Sequence, residues 1–485
     1  MRLGRDGERE SCKSSRFGSD SSMEPTLPMS NMRHWKRTQY IWRQRAKAWL
    51  GRRGLPIGRS QAAAEFVRLK AKRARLAPPD LSALRVPGQE GLVSIVLPVY
   101  NGADYVGESI ASTLAQTYRD FELIIVDDGS TDQTPEILAN YARRDARIRV
   151  VTQPNQKLPG ALSNGFRLAR GEFLTWTSAD NRFKPEFLEK MVGCLRRHPA
   201  WDMIYANEDI IGEDGRPLRG SEWFWPYQRP LGSEHIHFPE DTAELNGLGN
   251  NFIGGAFLYR ARVRFLIGDY SPEWFGLEDY DYWMRVNALL ALHHADFREP
   301  VYEYRLHGKS LTSREAELRI EEKRRELVAV DRLRRRSAEE PILWHLEAEA
   351  GSASAAHLKR AMESALSARG HRVWPGKGES SSANLGGPMV HASVVENPLE
   401  QAPLAGDLSA GAMRVLIVCS DEPSLPEVQE MWNLCVAFSS RTDATQLPRD
   451  RQGWMVTDRI ETLIAAIDIR TRGHCPEKQA NALTL

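Results

Sequence analysis

The chain has 485 residues, and its 65 basic and 64 acidic side chains leave a formal net charge of +1. This length allows two or three domains, and the balanced charge provides no overall field that would recruit nucleic acid. The five cysteines are far apart and form no C-x-x-C pair, which favours reduced thiols and argues against a disulfide framework or a zinc site. The sequence has no apolar run of the roughly 18–20 residues that cross a bilayer, and no apolar signal-peptide core at its start. We therefore expect a cytoplasmic protein that is soluble or peripheral on a membrane.

The first 90 residues read as a basic, partly disordered extension. Residues 1–30 are polar and charged, which predicts disorder. Residues 31–75 contain fourteen Lys or Arg and a single acidic residue, with three tryptophans between the charges. Two interpretations stay open: a basic amphipathic helix on an anionic membrane surface, or a solvated helix whose aromatic side docks on the next domain. Nucleic-acid binding is a weaker third, because no recognition motif accompanies the charge.

The most informative segment is residues 93–130, which predicts a strand, a loop, a helix and a second strand. Val93–Leu97 and Phe121–Val126 are continuous apolar runs, typical of strands buried on both faces. Each strand ends in a polar loop, and the second loop begins with Asp127 and Asp128. Ligands of open α/β sheets bind outside the carboxyl ends of the strands, and adjacent carboxylates are costly to desolvate without a partner. The alternative is that Asp128 merely caps the following turn.

Two more predicted strands end in polar residues. Gly171–Trp176 leads into residues 178–181 (SADN), and Val301–Leu306 leads to His307. Between them lies a long irregular segment, residues 212–250, and a loop of this length inside a compact domain is usually functional. These features indicate a ligand site built from several strand ends.

Five motifs occur in order along the chain: PVYNGADY, VDDGSTD, an N-x-G stretch, SADN and EDYDYW. In combination and order they resemble the family 2 glycosyltransferases, over residues 91–313. The resemblance implies an α/β fold of the GT-A type, which is Rossmann-like, with a mostly parallel central sheet and helices on both faces. It also implies a nucleotide-diphospho-sugar donor, with a UDP-sugar favoured.

The resemblance assigns the nucleoside to the loops after the first two strands. The matching residues are Pro98, Tyr100 and Asp128, with Tyr100 stacking on the base and Asp128 accepting from its ring N–H. Asp127 belongs to the same motif, and its alternative role is turn formation. The family often has an Arg on the following helix; here Lys157 is the nearest cation.

The resemblance also implies a divalent cation, Mn²⁺ or Mg²⁺, at a D-x-D-D motif, which corresponds to residues 178–181. In this chain Ser178 replaces the first Asp and Asn181 replaces the last, so that Asp180 is the carboxylate that remains. One carboxylate together with diphosphate oxygens and waters can hold such an ion. His307 is expected to close the metal site. The alternative is that Asp180 caps the next turn.

The EDYDYW helix is expected to carry the catalytic base. An inverting transfer needs one carboxylate to take the proton of the acceptor hydroxyl; we assign Asp279, with Glu278 as its rival. On the acceptor side, Trp223 and Trp225 are expected to form an apolar platform for a sugar ring or a lipid-linked acceptor. The glycine pair 254–255 is expected to allow close approach of the backbone to a ligand.

After the catalytic domain we expect a helical extension over residues 314–370, with helices at 315–333 and 341–369. A Gly/Ser/Pro-rich flexible linker is expected over 371–412. Residues 413–485 begin with an apolar strand that weakly resembles the start of a GT-B glycosyltransferase. They read as a short α/β-like tail, either the remnant of a truncated second transferase or a small appendage.

The leading hypothesis is an inverting glycosyltransferase that acts in cell-surface polysaccharide or glycan assembly, in the cytoplasm or on the inner face of the membrane. Its acceptor would be a glycan or a lipid-linked molecule, reached through peripheral membrane contact of residues 31–75. One alternative is a sugar nucleotidyltransferase, but its Gly-rich G-x-G-T-R loop is absent from the sequence. A dinucleotide oxidoreductase would need G-x-G-x-x-G after the first strand, which is also absent. A non-catalytic nucleotide-sugar-binding module stays open because the D-x-D motif is reduced.

Overall fold

The computed structural model describes residues 79, 81–247, 249–337, 341–374, 389–395, 413–419, 434–438, 454–457 and 459–473. The basic segment 31–75, with its predicted membrane contact, lies outside the described residues. Within them, no helix combines the length and the apolar composition that crossing a membrane requires. The chain just before the first strand is packed on the domain, since Leu81 and Leu84 are buried and the Leu81 carbonyl accepts a hydrogen bond from Arg262.

A seven-stranded sheet forms the centre of the domain that follows the N-terminal segment. Its strands, in spatial order, are β10 (Leu292–His294), β6 (Met203–Tyr205), β9 (Phe257–Arg260), β4 (Gly171–Trp176), β1 (Gln89–Val99), β2 (Phe121–Asp127) and β3 (Ile148–Thr152). All neighbours are parallel except β9, which runs antiparallel to both β4 and β6. This mostly parallel sheet confirms the predicted fold class.

Both faces of the sheet are buried, as the continuous apolar strands predict. Ile95 and Leu97 of β1 point into one core, where they meet Ile110, while Val96 points into the other, where it meets Phe166. The helices that cover the sheet are α1 (Val106–Leu114), α2 (Thr134–Ala142), α3 (Lys157–Arg167), α4 (Phe187–Arg197), α5 (Ala243–Gly247), α6 (Ala261–Ile267) and α7 (Glu278–Leu289).

A second, four-stranded sheet stands beside the carboxyl edge of the first. Its order is β5 (Arg182–Phe183), β11 (Tyr302–Arg305), β7 (Glu208–Ile211) and β8 (His235–Ile236). The segment 178–181 lies just before β5, and His307 lies two residues after β11. This small sheet therefore brings the predicted metal-binding residues together from distant parts of the chain.

The region after residue 313 differs from the prediction. Helix α8 (Ile320–Ser337) is present, but the predicted helix 341–369 begins with a strand, β12 (Leu343–Ala348), before α9 (Ala353–Ala368). The predicted linker contains β13 (Arg372–Trp374) and β14 (Met389–Val395). A short apolar run does not distinguish a strand from a buried helix by its periodicity, and the polar residues around β14 concealed it.

These strands join the predicted tail in one parallel sheet. Its order is β13, β12, β14, β15 (Met413–Val418), β16 (Leu434–Phe438) and β17 (Trp454–Thr457), followed by helix α10 (Ile460–Gly473). The strand expected at residue 413 is confirmed, but it lies inside a six-stranded sheet rather than opening a separate appendage. Helix α10 packs against α6 of the domain around the seven-stranded sheet, and Arg470 donates a hydrogen bond to the Phe265 carbonyl.

The close approach of α3 to the central sheet can be tested at Gly165. A Cβ atom at this position would lie 2.5 Å from Val96 Cγ1 and 3.1 Å from Val126 Cγ2. We expect Gly165→Ala to lower the midpoint of thermal unfolding, because overpacking of a filled core costs about 1–3 kcal/mol.

Gly107→Ala in α1 is the matched control, since its Cβ would be 3.7 Å from the Tyr141 hydroxyl, an ordinary contact. Its midpoint should stay the same or rise, because alanine favours a helix over glycine by up to about 1 kcal/mol. Equal midpoints for the two variants, measured by circular dichroism, would contradict the packing described for Gly165.

Candidate active site

The loops after β1 and β2 are joined at the carboxyl edge of the sheet. Val99 at the end of β1 is in register with Asp127 at the end of β2, and the Asp128 N–H donates to the Val99 carbonyl over 2.8 Å. The Asn101 side chain accepts from the Thr131 N–H over 2.8 Å. The two motifs that carry the family resemblance thus form one continuous surface.

The two adjacent carboxylates have different surroundings. Asp127 Oδ1 accepts from the Ser130 N–H over 3.0 Å, which makes Asp127 the residue that shapes the turn. Asp128 Oδ1 accepts from Gln153 Nε2 and from the Gln156 N–H, each over 2.8 Å. Asp128 is therefore tied to the segment after β3 and does not cap its own turn.

The other predicted nucleotide-binding residues differ in accessibility. The Tyr100 side chain is 53% exposed, which leaves a ring face free for stacking, and Lys157 is exposed at the start of α3. Pro98 is buried within β1, so it offers a ligand much less surface than Tyr100 does.

Asp180 and His307 form a close pair with one unsatisfied atom each. His307 Nε2 lies 2.8 Å from Asp180 Oδ2, which joins the segment after β4 to the segment after β11. The other carboxylate oxygen, Asp180 Oδ1, and the other ring nitrogen, His307 Nδ1, are buried and have no hydrogen-bond partner among the described residues. Unsatisfied buried polar atoms are costly, and the donor types present here, a carboxylate oxygen and an imidazole nitrogen, are ligands that Mn²⁺ accepts. These residues therefore fit a divalent cation.

Glu208, at the start of β7, is a buried carboxyl for which the sequence predicts no role. It accepts a hydrogen bond from the Gly255 N–H over 3.1 Å. Burial raises the pKa of Glu208 to about 8, with a further contribution from the charge of Asp209. The carboxyl therefore stays protonated at neutral pH.

The glycine pair 254–255 lies against two side chains of the protein. A Cβ atom at Gly254 would overlap the Glu208 carboxylate, and one at Gly255 would overlap the Tyr302 ring. The backbone at this pair thus closely approaches neighbouring side chains of the protein, and its expected approach to a ligand stays a prediction.

Tyr304 on β11 connects the metal-binding pair with the EDYDYW helix. Burial raises the pKa of its hydroxyl above the ordinary value, and the charges of Asp180, Glu208 and Asp279 raise it further. The three carboxyl groups therefore lie within electrostatic range of one tyrosine. Trp223 stacks on the Tyr304 ring with a centroid distance of 5.3 Å, which places this predicted acceptor residue beside them, and Trp225 begins a 3₁₀ turn two residues later.

The two carboxyls at the start of α7 point in different directions. Glu278 is buried and accepts from the Gly276 N–H over 2.6 Å, whereas Asp279 is half-buried. Burial raises the pKa of both, and the Asp279 charge adds to the effect on Glu278; the pKa of Asp279 rises to about 6. Asp279 is thus the more accessible of the two carboxyls.

A second group of side chains with metal-binding chemistry lies away from this site. Cys194, His198 and Asp296 have ligand atoms within 4.8 Å of one another. The Asp296 carboxylate, however, binds the Arg197 guanidinium over 3.0 and 2.7 Å, and burial raises the pKa of the Cys194 thiol to about 11. This group is an ion-paired cluster with a neutral thiol.

Several site residues escaped the sequence analysis: Glu208, Tyr302, Tyr304 and Arg305. Their signal is the alternation of β11, where Tyr302 and Tyr304 are separated by a polar residue and followed by a buried arginine. Only the pairing of β11 with β7 shows that these residues lie beside Glu208.

The raised pKa of Glu208 predicts a pH-dependent stability. Between the ordinary value of 4.5 and about 8, the folded protein holds a proton that the unfolded chain releases, so stability falls as pH rises through this range. Glu208→Gln keeps an acceptor for Gly255 but cannot ionise. We expect its thermal midpoint, relative to the wild type, to increase steadily as the pH is raised.

Thermal unfolding at a series of pH values checks this expectation. Glu136→Gln, which alters an exposed carboxyl in α2, is the control. Parallel midpoint curves for the wild type and the Glu208 variant would show that this carboxyl is ionised in the folded protein.

Comparison with known proteins identifies the family. The family model described as Glycosyl transferase family 2 matches residues 94–264. A glycosyltransferase of Haemophilus influenzae is 31% identical over 228 residues, which are 46% of this chain and 68% of the relative. The putative glycosyltransferase EpsH of Bacillus subtilis is 29% identical over 46% of this chain and 63% of its own length. A Rickettsia conorii glycosyltransferase is 30% identical, but the chain spans 32% of its length.

Among solved structures, residues 1–349 of TarS from S. aureus, in complex with UDP-GlcNAc, are 20% identical. The likeness covers 50% of this chain and 66% of that one, with a TM-score of 0.38. The assignment of the chain to a family therefore rests on the sequence matches and not on this structural likeness. The chain covers more than two thirds of the H. influenzae relative, and the residues that the family model matches include the ends of β1, β2 and β4. The chain therefore belongs to glycosyl transferase family 2.

Proposed function

We propose that the chain is an inverting, metal-assisted glycosyltransferase that moves a sugar from a nucleotide-diphospho-sugar, with UDP favoured, to an acceptor hydroxyl. The observation that supports this best is the arrangement of three carboxylates, Asp128, Asp180 and Asp279, around one edge of the sheet. They correspond in order to the nucleoside, the diphosphate and the acceptor. Family membership supports the reaction class, and the site geometry supports the roles.

The nucleoside end of the donor would lie on Tyr100 and Asp128. The exposed Tyr100 ring can stack on a base, and the Asp128 carboxylate is fixed by two donors from the segment after β3. Lys157 is exposed at the start of α3 and can approach the negative diphosphate. This arrangement suits a nucleoside diphosphate, which has one aromatic and one anionic end.

Asp180 and His307 would hold the divalent cation, which suits the oxygen and nitrogen donors that these two side chains supply. When bound, such an ion neutralises the negative charge that develops on the departing diphosphate. The protein's own contribution is to hold the carboxylate and the imidazole 2.8 Å apart before the donor arrives. Preorganisation of this kind avoids rearrangement during the reaction.

Asp279 would take the proton from the acceptor hydroxyl. In a single displacement, the acceptor oxygen forms a bond to the anomeric carbon while the bond from that carbon to the diphosphate oxygen breaks, and the configuration inverts. A pKa of about 6 leaves Asp279 ionised at neutral pH and close to the value at which a general base works best. Glu278 is turned inward to Gly276 and so would orient the helix.

The acceptor would lie against Trp223, which is stacked on Tyr304. Aromatic faces suit the apolar C–H faces of a sugar ring and also an isoprenoid chain, so a glycan or a lipid-linked acceptor fits this surface. With residues 31–75 as a peripheral membrane contact, the enzyme would act on the inner face of the membrane in surface-glycan assembly. A non-catalytic binding module is less well supported, because it would not need a base held near neutral pKa beside the donor site.

The metal site is tested by Asp180→Ala. We expect calorimetry to show that the wild type binds UDP more tightly with Mn²⁺ than without it, and that this variant loses the difference. Asp296→Asn, in the ion-paired cluster with Arg197, is the control and should keep the metal effect. A metal effect that persists in the Asp180 variant would place the cation elsewhere.

The base is tested by Asp279→Asn, which preserves the shape of the side chain but cannot accept the proton. Turnover should fall by about 10²–10⁴-fold, the typical contribution of general-base catalysis, while UDP binding is retained. In the wild type, kcat/KM should fall as the pH drops below about 6, where Asp279 becomes protonated.

Glu278→Gln is the matched comparison. Burial keeps Glu278 protonated, so the neutral amide changes little and the loss of turnover should be much smaller. If the Glu278 variant were inactive and the Asp279 variant active, the roles of the two carboxyls would be reversed. Initial rates for both variants, measured with the donor found by screening nucleotide sugars, decide between these assignments.

A further inference from the structure

Arg305 is a fully buried arginine at the end of β11, directly behind the predicted metal site. Its side chain is 0% exposed, and its backbone N–H donates to Asn181 Oδ1 over 2.8 Å. Asn181 occupies the position where the family pattern has an acidic residue. In this chain, therefore, the side chain at that position is hydrogen-bonded to strand β11 and is not a carboxylate that could bind an ion.

The Arg305 guanidinium joins three separate segments. Its Nε donates to the Asp180 carbonyl over 2.8 Å, one terminal nitrogen donates to the Glu213 carbonyl over 2.8 Å, and the other donates to Glu108 Oε2 over 2.6 Å. The same group lies over the Tyr105 ring, 4.6 Å from its centroid. All three nitrogens are used, so the group is held rigidly despite its burial.

These contacts fix Asp180 and His307 relative to each other. The Asp180 backbone is held by the Arg305 side chain, and the next residue is held by the Arg305 backbone. His307 follows Arg305 by two residues, and its ring packs 4.9 Å from the ring of Tyr105, which Arg305 also contacts. The carboxylate and the imidazole are therefore both anchored to one guanidinium.

We propose that Arg305 is a positioning residue that holds Asp180 and His307 in the geometry for a divalent cation. This inference rests on the proposed function. The role of Arg305 explains how the site can bind a cation with Ser178 and Asn181 in place of two acidic residues. The two remaining ligands are held rigidly, which compensates for the missing negative charge. Lysine cannot reproduce the role, because one ammonium group cannot reach a carbonyl on one side and a carboxylate on the other in fixed directions.

The test compares Arg305→Lys with the wild type in the full-length chain. Mn²⁺ affinity is measured by electron paramagnetic resonance in the presence of UDP, without any turnover. Loss of a residue that orients metal ligands typically weakens metal binding by about 10–100-fold, and we expect a loss in that range.

Arg182→Lys provides a matched control for general loosening. Arg182 also contacts Glu108, over 3.3 Å, and it donates to the Gly215 carbonyl, two residues from the carbonyl that Arg305 contacts at Glu213. Its remaining contact is with Glu303 rather than with the Asp180 carbonyl. Its Mn²⁺ affinity should stay near that of the wild type, even if both variants lose some thermal stability.

Asn181→Ala gives a second route if Arg305→Lys fails to fold. It removes the acceptor for the Arg305 backbone and should also weaken Mn²⁺ binding. Unchanged Mn²⁺ affinity in either folded variant, or an equal loss in Arg182→Lys, would overturn the role of Arg305 while leaving the proposed function intact. A wild type that binds UDP but no Mn²⁺ would overturn both this role and the metal-assisted mechanism.

Discussion

The position of β1 between two parallel neighbours determines where the chemistry of this protein can occur. Backbone pairing places the end of β1 beside the end of β2, and it places Val96 beside Trp176 at the end of β4. Because all three strands run the same way, their loops emerge at one edge. Residues as distant in sequence as Tyr100, Asp128 and Asp180 are thereby brought to one surface without any specific attraction between them. The strong apolar character of these strands is thus a condition for the site as well as for the core.

The pocket beside this edge contains more carboxyl groups than stability alone would favour. Asp180, Glu208 and Asp279 all lie within electrostatic reach of the half-buried Tyr304, in surroundings where charge is poorly solvated. The protein reduces the cost in different ways: Glu208 and Glu278 keep their protons, while Asp180 is paired with His307. Perturbed groups of this kind cluster at functional sites. A cation and a polar donor would supply the compensation that the pocket otherwise lacks.

The sequence predicted the regular parts of the catalytic domain well, because their patterns are local. The strand at 171–176 was predicted with its observed bounds, and the helix that begins at Glu278 was placed correctly. The roles of Glu208 and Arg305 could not be predicted from the sequence. Each role depends on contacts across the small sheet between residues that are nearly one hundred positions apart in the chain. Strands β12 and β14 were missed for a related reason. Each is a short apolar run whose identity is settled only by its neighbours in the sheet.

Helices α8 and α10, which precede and follow the C-terminal sheet in the chain, contact the helix that carries Asp279. The last residues of α8 lead into this sheet, and Arg334 of α8 pairs with Asp281 of α7 over 2.5 Å. Arg285 of α7 holds the other oxygen of Asp281 over 3.0 Å, and both arginines lower the pKa of this buried carboxyl against the opposing effect of burial. On the other side, α10 packs against α6, which in turn contacts α7. The helix with the proposed base is therefore held between the central sheet and elements that belong to the C-terminal sheet. A base must be fixed to within a fraction of an ångström to be effective, and these contacts fix the helix that carries the proposed base.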